Sequence, residues 1–286
     1  MSAVGTSEAG ACTLQQGPIT CVVRAWGDAA EVALALAQAQ TAFPAILPHL
    51  VAELTLLRTP LPAARPHGEI ARAMVESCAP FTDRWITPMA AVAGAVADHL
   101  LAALCAGRRL DRAMVNNGGD IAFHLAPGAR LRAGVVTRLD APSLDATIDL
   151  HAHHPWRGLA TSGRACKGRG GRSFSFGIAD AVTVLARTAA QADAAATIIA
   201  NEVDLPFHPA IIRRPARDID PDSDLGPRLI TWDVLTQGEP EIAEALDAGR
   251  RVADALATQG RIGGALLALR GQTATVGQDL MQMEPP

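Results

Sequence analysis

The sequence predicts an α+β fold in which mixed and antiparallel sheets pack with helices. Helical segments come first, a run of short strands joined by Gly, Pro and Asp turns begins at Ala113, and helices and strands alternate after Asp180. The 286 residues are 49% hydrophobic and 19% charged, which is typical of a packed globular protein and excludes a disordered chain.

Helices are predicted where capping residues precede apolar segments. Asp28 is the expected N-cap of the first helix, which should end before Pro44 and Pro48 because proline lacks an amide hydrogen. A long apolar helix is predicted over residues 88–106. Asp98 interrupts its apolar run, so we expect a buried helix and not a membrane span. A shorter helix is predicted over residues 69–77.

Strands are predicted where short apolar or alternating segments lie between turn residues. They cover residues 19–26, 113–116, 121–125, 131–137, 146–150, 180–186, 229–234, 265–270 and 273–276. Thr188 and Gln191 match a Thr-x-x-Gln capping box, which predicts a helix after the sixth strand. Pro240 and Gly260 enclose the last predicted helix.

The chain shows no internal repeat and no clean linker between domains. Residues 17–277 are therefore predicted to form a single α+β domain, with residues 1–16 and 278–286 as disordered tails. The net charge of −4 argues against nucleic acid or an anionic membrane as a partner. The five cysteines are scattered and form no CxxC pair, and no signal peptide precedes Cys12, so we expect a cytoplasmic location.

A polar strip on one predicted helix suits a hard cation. Asp193, Thr197 and Asn201 follow one another at i, i+4 spacing, so their side chains share one face. A carboxylate and a hydroxyl offer the oxygen ligands that Mg²⁺ prefers, although an aspartate near a helix start is also stabilised by the helix dipole. His151, His153 and His154 are also compatible with a metal, but no second cluster completes such a site.

A basic, glycine-rich segment between Leu150 and Ala179 suits an anion. It holds six glycines, five basic residues and no acid. Glycine lets backbone N–H groups turn inward, and arginine presents a planar fork to phosphate. The alternative is a solvated loop without a ligand. The basic residues are Arg157, Arg164, Lys167, Arg169 and Arg172.

The segment Asn116-Asn117-Gly118-Gly119-Asp120 lies between two predicted strands. As structure alone it is a hairpin turn, because Asn and Gly tolerate positive φ. As part of a site, the second glycine and the aspartate would widen the turn and bring a carboxylate to a strand start, where it can meet a ligand.

Several of these segments resemble the ApbE-type flavin transferases, which attach FMN from FAD to proteins. The resemblance rests on Ala-Thr-Ser-Gly at 160–163, on AVTVLA-x-T-A-x-x-ADA-x-AT over 181–197, and on the Asn-x-Gly-Gly-Asp turn. The segments PMAAVAGAVAD (88–98), NNGGD, GRSFSFGIADAVTV and ADAAATIIAN look closer still to a soluble, uncharacterised UPF-type branch of that superfamily. The resemblance implies an ApbE-like fold.

The resemblance also implies site residues. In the transferases the helical Asp-x-x-x-Thr holds Mg²⁺, which here corresponds to Asp193 and Thr197. The Gly-Gly-Asp turn and the Ala-Thr-Ser-Gly segment border the flavin nucleotide. With the basic loop, the predicted cofactor-binding residues are Asn117, Gly118, Gly119, Asp120, Thr161, Ser162, Gly163, Arg164, Lys167, Arg172 and Ser173. The transferases' His-Ile-Ile-Asp-Pro-x-x-Gly segment is replaced here by GGRSFSFGIAD, which argues against flavin transfer to proteins.

The first hypothesis is a cytoplasmic ApbE-like protein with an enzyme-type cleft for an anionic small molecule. The expected ligand is FAD, FMN or another nucleotide, with Mg²⁺-dependent transfer as the reaction and a homodimer as the assembly. One alternative is an enzyme that acts without metal on another carboxylated or phosphorylated metabolite. The other is a non-catalytic binding or assembly protein that keeps the fold. The sequence identifies no catalytic residue.

Overall fold

The computed structural model describes residues 3–5, 10–135, 146–163, 174–277 and 281–283. The chain divides into two compact units. The first unit consists of residues 1–132, 149–160 and 186–194, and the second of residues 133–148, 161–185 and 195–286. The single domain predicted over residues 17–277 stays a prediction.

Helices and strands occur along the described chain in separate runs, as is typical of an α+β fold. The helices are α1 (Ala29–Ala52), α2 (Leu54–Leu57), α3 (Glu69–Cys78), α4 (Val92–Cys105), α5 (Ala189–Glu202) and α6 (Glu239–Thr258). The strands are β1 (Ala3–Gly5), β2 (Ala11–Gln16), β3 (Ile19–Gly27), β4 (Leu110–Asn117), β5 (Asp120–Leu125), β6 (Arg130–Val135), β7 (Ala146–His151), β8 (Gly158–Ser162), β9 (Ala181–Ala186), β10 (Ile211–Pro215), β11 (Leu229–Val234), β12 (Ile262–Leu269), β13 (Gln272–Val276) and β14 (Met281–Met283).

The first unit is an antiparallel sheet with helices packed on it. Strands β1 to β5 pair in sequence order, and β5 also pairs with the start of β8 through Ile121 and Leu159. Helix α4 contacts β4, β5 and α1, while α1 also contacts β3. Leu100 and Leu104 of α4 are fully buried, so this helix supplies part of the core of the first unit.

The second unit holds a hairpin, a long helix and a smaller pair of strands. Strands β12 and β13 pair antiparallel, and α6 packs on both of them. Strand β9 is buried along its whole length and neighbours β12. Strands β10 and β11 pair antiparallel, and β14 pairs with Ala146–Ile148 of β7. The antiparallel pairing and the packed helices confirm the predicted α+β class.

The first helix continues through both prolines, so the predicted break at Pro44 and Pro48 is wrong. Asp28 caps α1 as expected, since its Oδ1 accepts from the amides of Ala30 and Glu31 at 2.9 and 3.3 Å. Both prolines lie inside the helix. Side chains on the same helix, Phe43, Ile46 and Leu50, are buried, and this packing outweighs the lost backbone hydrogen bonds.

Parts of the predicted disordered tails form strands, which corrects those two predictions. Residues 11–16 are strand β2 and pair with β3, where Leu14 is fully buried. Residues 281–283 are strand β14. Strands β8 and β10 were not predicted either, because the glycine of the first and the proline and arginines of the second obscured the strand pattern.

Within the described part of the chain, two helical segments are long and apolar enough, by length and composition alone, to span a membrane. They are α1 and Pro88–Cys105. In the most apolar 18 residues of each, 22% of α1 and 44% of Pro88–Cys105 are buried inside the protein. The core helix of a globular protein passes the same test. Residues 88–91 form a 3₁₀ turn that leads into α4, as the predicted start at Pro88 requires.

Candidate functional site

The Asn-Asn-Gly-Gly-Asp segment forms a tight hairpin between β4 and β5. Asn117 pairs with Asp120, and the two residues between them, Gly118 and Gly119, have φ of +69° and +110°. Positive φ at both central positions is the requirement of a type I′ turn, which favours glycine at both. The expectation of a widened turn is therefore wrong. The carboxylate of Asp120 does stand at the start of β5, where the residue is only 9% exposed.

The backbone of this turn is open to a ligand. A Cβ added to Gly118 or Gly119 would meet no atom within 4 Å. The turn is nevertheless held in place, because the amide of Gly119 donates to Asn116 Oδ1 at 2.8 Å. The glycines thus combine a fixed conformation with an uncovered backbone, which is what a close approach of ligand to main chain needs.

Asn117 connects this turn to the start of α4. Its side chain is buried and donates from Nδ2 to the carbonyl of Ala93 at 3.1 Å. Ala93 is the second residue of α4. The position of the turn is therefore fixed relative to the first helical turn of α4.

Asp193 of α5 bonds to Gly94, which follows Ala93 in the first turn of α4. Its Oδ2 accepts from the amide of Gly94 at 3.1 Å. Free amides at a helix start attract a carboxylate, so this bond also stabilises α4. Since Ala93 and Gly94 are consecutive, the start of α4 brings together the Gly-Gly-Asp turn and Asp193, two motifs that the sequence analysis singled out separately.

The accessible positions of α5 are the predicted polar ones. From Ala192 to Ala200 each residue is buried except Asp193 and Thr197, which are half-buried. These two residues lie one helical turn apart on the same side. Asn201 is also half-buried, but its Oδ1 accepts from the amide of Phe176 at 3.0 Å, so it has a structural role.

The side-chain oxygens of Asp193 and Thr197 fit a magnesium ion that takes its other ligands from water and substrate. Asp193 has one oxygen bonded to Gly94 and so presents a fixed carboxylate, with Thr197 one turn away. Mg²⁺ usually keeps several waters and binds through one or two protein oxygens plus substrate phosphates. Among the described residues, no group of three or more His, Cys, Asp or Glu side chains is arranged to hold a metal. That includes His151, His153 and His154, although their rings lie close together.

The Ala-Thr-Ser-Gly segment ends strand β8. In the first unit, Ala160 packs in the core with Ala186 and Ala192. In the second unit, the hydroxyls of Thr161 and Thr183 lie 2.9 Å apart, and Ser162 is buried.

Gly163 follows β8 with a φ of +124°. A Cβ there would lie 2.8 Å from the carbonyl oxygen of Asp180 and 3.0 Å from Ala181 Cα. Only glycine fits this contact, because a side chain would meet backbone and the φ is left-handed. The predicted site residues Arg164, Lys167, Arg172 and Ser173 lie outside the described residues.

Asp98 and Gly94 are structural supports of the site that sequence analysis missed. Asp98 is the residue that interrupts the apolar run of the predicted helix, and its carboxylate accepts from the amides of Ala189 and Ala190, both at 2.9 Å. Helices α4 and α5 therefore cap each other: Asp98 caps α5, and Asp193 caps α4. Burial raises the pKa of Asp98, although the bonds to the two amides act to lower it.

A buried thiol stands close to Asp193. Cys78, at the end of α3, is fully buried, and its Sγ lies 4.0 Å from the carbonyl oxygen of Pro88. Burial raises the pKa of Cys78, and the negative charge of Asp193 raises it further. This cysteine is thus a protonated packing residue and not a nucleophile.

Comparison with known sequences matches most of the chain to one protein family. The sequence profile of the family described as "AbpE bacteria" matches residues 3–275. The UPF0280 protein of Methanothrix thermoacetophila is 39% identical over 119 residues, which are 41% of this chain and 46% of that protein. UPF0280 protein MK0206 of Methanopyrus kandleri is 39% identical over 136 residues, which are 46% of this chain and 48% of that protein. The chain thus spans just under half the length of each relative.

Comparison with solved structures identifies the fold. The apo form of the flavinyl transferase ApbE of Pseudomonas stutzeri superposes with a TM-score of 0.52, covering 96% of this chain and 94% of that chain. The two sequences are 13% identical, so the likeness shows the fold alone. The predicted ApbE-like fold, and the resemblance to a UPF-type branch of that superfamily, are confirmed.

Proposed function

This chain belongs to the AbpE family of bacteria, and from that membership we propose that it is an enzyme that binds a flavin nucleotide. The proposed ligand is FAD or FMN, and the proposed reaction is a transfer that involves its phosphate groups. The flavin enters this proposal from the structural relative, which is a flavinyl transferase.

One observation carries the proposal: consecutive residues of α4 hold the Gly-Gly-Asp turn and Asp193. Asn117 bonds to Ala93, and Asp193 bonds to Gly94. An uncovered glycine backbone and a half-buried carboxylate thus belong to one small region of the first unit. If both motifs were only structural, the turn could be covered and Asp193 could be buried like its neighbours on α5. The turn is instead open, and Asp193 is accessible.

Magnesium is the proposed metal, with Asp193 and Thr197 as its protein ligands. When bound, Mg²⁺ would neutralise charge on the phosphate oxygens of the nucleotide. The bond from the Gly94 amide keeps the Asp193 carboxylate in one orientation, which is how supporting hydrogen bonds favour metal binding. Because two protein oxygens are too few for octahedral coordination, metal binds weakly alone and more tightly with the nucleotide.

We further propose that the protein is a homodimer that acts in the cytoplasm on an anionic small molecule. Neither nucleic acid nor a membrane is a proposed partner. The net charge of −4 supports the exclusion of nucleic acid and anionic lipid. Light scattering after size-exclusion chromatography tests the assembly, since a dimer has twice the 29.7 kDa mass of one chain.

Calorimetric titration of FAD with and without Mg²⁺ tests the function. We expect Mg²⁺ to tighten FAD binding to the unsubstituted protein, and Asp193→Asn to remove most of that gain, a loss of about tenfold in affinity. Asp98→Asn is the matched control, because Asp98 also caps a helix of this pair but is assigned no ligand. It should leave the magnesium effect intact.

Two results would overturn parts of this proposal. If Asp193→Asn and Asp98→Asn give the same traces as the unsubstituted protein, Asp193 is only a helix cap. If FAD and FMN fail to bind at all, the flavin is wrong. Mass spectrometry of small molecules released by denaturing the purified protein then separates the alternatives. Another phosphorylated or carboxylated metabolite would favour a different enzyme, and none would favour a binding or assembly protein.

A further inference from the structure

A groove of about 350 Å³ in the first unit is lined mainly by basic side chains. Its volume is within the range of small-molecule sites. Its lining comes from β4 and from β6 and β7, which are neighbours of each other. The lining residues are Arg112, Arg130, Leu131, Arg132, Asp149 and His151.

This groove lies away from the Gly-Gly-Asp turn. Arg112 pairs with Leu125 at the far end of the β4–β5 hairpin, whereas Asn117 pairs with Asp120 beside the turn. Five residues of strand separate Arg112 from Asn117, which corresponds to about 17 Å. The groove is therefore a second region of the molecule, independent of the proposed function.

Charge in the groove is only partly balanced. Arg132 donates from Nε and Nη2 to the two carboxylate oxygens of Asp149 at 2.8 and 3.0 Å. This bidentate pair lowers the pKa of Asp149, so that carboxylate stays ionised and neutralises Arg132. Among the described residues that line the groove, Asp149 is the one acid, which leaves two arginines in excess.

Of the two excess arginines, Arg112 is held in a defined position, and Arg130 is placed by its strand. The guanidinium of Arg112 lies over the ring of Trp26, its cross-strand neighbour, with Cζ 5.0 Å from the ring centroid. Its Nη1 is also 3.5 Å from the carbonyl oxygen of Arg130. Arg130 and Arg132 are two residues apart on β6, so both side chains stand on one face of the strand. The same spacing on β7 relates Asp149 to His151.

We propose that this groove is a binding site for a compact phosphorylated small molecule. Arg112 and Arg130 bind the phosphate oxygens, because the planar guanidinium matches them with two parallel hydrogen bonds. His151 contributes a further ring nitrogen at the edge of the groove. The Arg132–Asp149 pair keeps the wall rigid and does not take part in neutralising the ligand.

Titration calorimetry with inorganic pyrophosphate at low and physiological salt tests this site. We expect saturable binding by the unsubstituted protein and a loss of affinity of about tenfold in Arg112→Gln and in Arg130→Gln. The matched control is Arg187→Gln. Arg187 is an exposed arginine that also stacks on a tryptophan, Trp156, at 5.3 Å, but it does not line the groove. It should bind pyrophosphate like the unsubstituted protein.

The outcomes separate a built site from general attraction to charge. Equal losses in Arg187→Gln and Arg112→Gln, or no saturable binding at all, would overturn the proposal. Citrate that binds as tightly as pyrophosphate would overturn the assignment to phosphate. Thermal melting of each variant confirms folding, and Arg112→Lys provides a second test. Lysine keeps the charge but not the planar fork, so we expect it to restore only part of the affinity.

Discussion

Gly94 stands where α4 meets the start of α5, and no side chain fits there. A Cβ on this residue would lie 2.2 Å from the carbonyl oxygen of Ala189. In an open helix, alanine in place of glycine stabilises by about 1 kcal/mol. Here the clash is with backbone, so we expect Gly94→Ala to lower the free energy of unfolding by about 1–3 kcal/mol. Urea denaturation measures it, and a gain in stability would show that the helices do not meet at this point.

Single residues of the site differ in how well the sequence predicted them. The shared face of Asp193 and Thr197 could be predicted because both lie on one helix, where i, i+4 spacing alone puts them on one side. The role of Asp98 depends on α5, which is 91 residues away along the chain at Ala189. No local pattern encodes such a contact. The close approach of Gly94 to Ala189 is missed for the same reason.

The start of α5 links stability to pH through Asp98. Burial raises the pKa of this carboxyl above its ordinary value, so the folded protein holds the proton more tightly than the unfolded chain does. The stability that comes from this tighter proton binding is fully present below the unfolded pKa of an aspartate, about 3.9. It is lost as pH rises through the folded pKa of Asp98. Asp98→Asn does not titrate. Relative to that variant, the unsubstituted protein should therefore lose stability as pH rises above the unfolded pKa and through the raised folded pKa.

Urea denaturation of both proteins at several pH values measures this difference. An opposite trend, with the unsubstituted protein gaining stability relative to Asp98→Asn as pH rises, would mean that the two amide bonds outweigh burial. The bonds from Ala189 and Ala190 would then set a pKa below the ordinary value. Curves that stay parallel at every pH would show that this carboxyl is solvated in the folded protein.

At the scale of elements, capping and turn chemistry predicted well and tertiary packing did not. Asp28 begins α1 as expected, and the Thr188 hydroxyl accepts from the amide of Gln191 at 3.2 Å, as the capping box requires. These signals act within four residues. The continuation of α1 past Pro44 depends instead on buried side chains that pack against other elements. Strand β8 was missed because it begins with a glycine, and the reason for that glycine lies elsewhere in the chain. A Cβ on Gly158 would lie 2.1 Å from the backbone of Thr188.

At the scale of the whole molecule, the division into two units could not be seen in the sequence. The division crosses the chain five times, after residues 132, 148, 160, 185 and 194, which lie inside β6, β7, β8, β9 and α5. Proline- or glycine-rich linkers usually mark such boundaries, but a boundary inside regular structure leaves no change in composition. The family match over residues 3–275 covers both units, so the family pattern does not reveal the division either.

The two apolar helices are held by the first unit, which bears on whether the protein enters a membrane. Helix α4 contacts β4 and β5, and its residues from Gly94 to Ala97 are buried. Helix α1 contacts β3 and α4. A bilayer span would have to remove each helix from these neighbours and leave the apolar face of the sheet exposed. That exposure costs about 25 cal/mol for each Å² of apolar surface. Asp98 on α4 would also lose the two amides it caps.

We therefore expect the protein to remain in the supernatant when a lysate is fractionated by ultracentrifugation. A known integral membrane protein and a known cytosolic enzyme, followed in the same fractions, provide the controls. Recovery in the membrane pellet after a high-salt wash would contradict the prediction, because salt removes proteins held by charge and leaves those held by apolar insertion. Release by high salt alone would instead point to a charged surface. The basic groove at Arg112 and Arg130 would then be the first place to substitute.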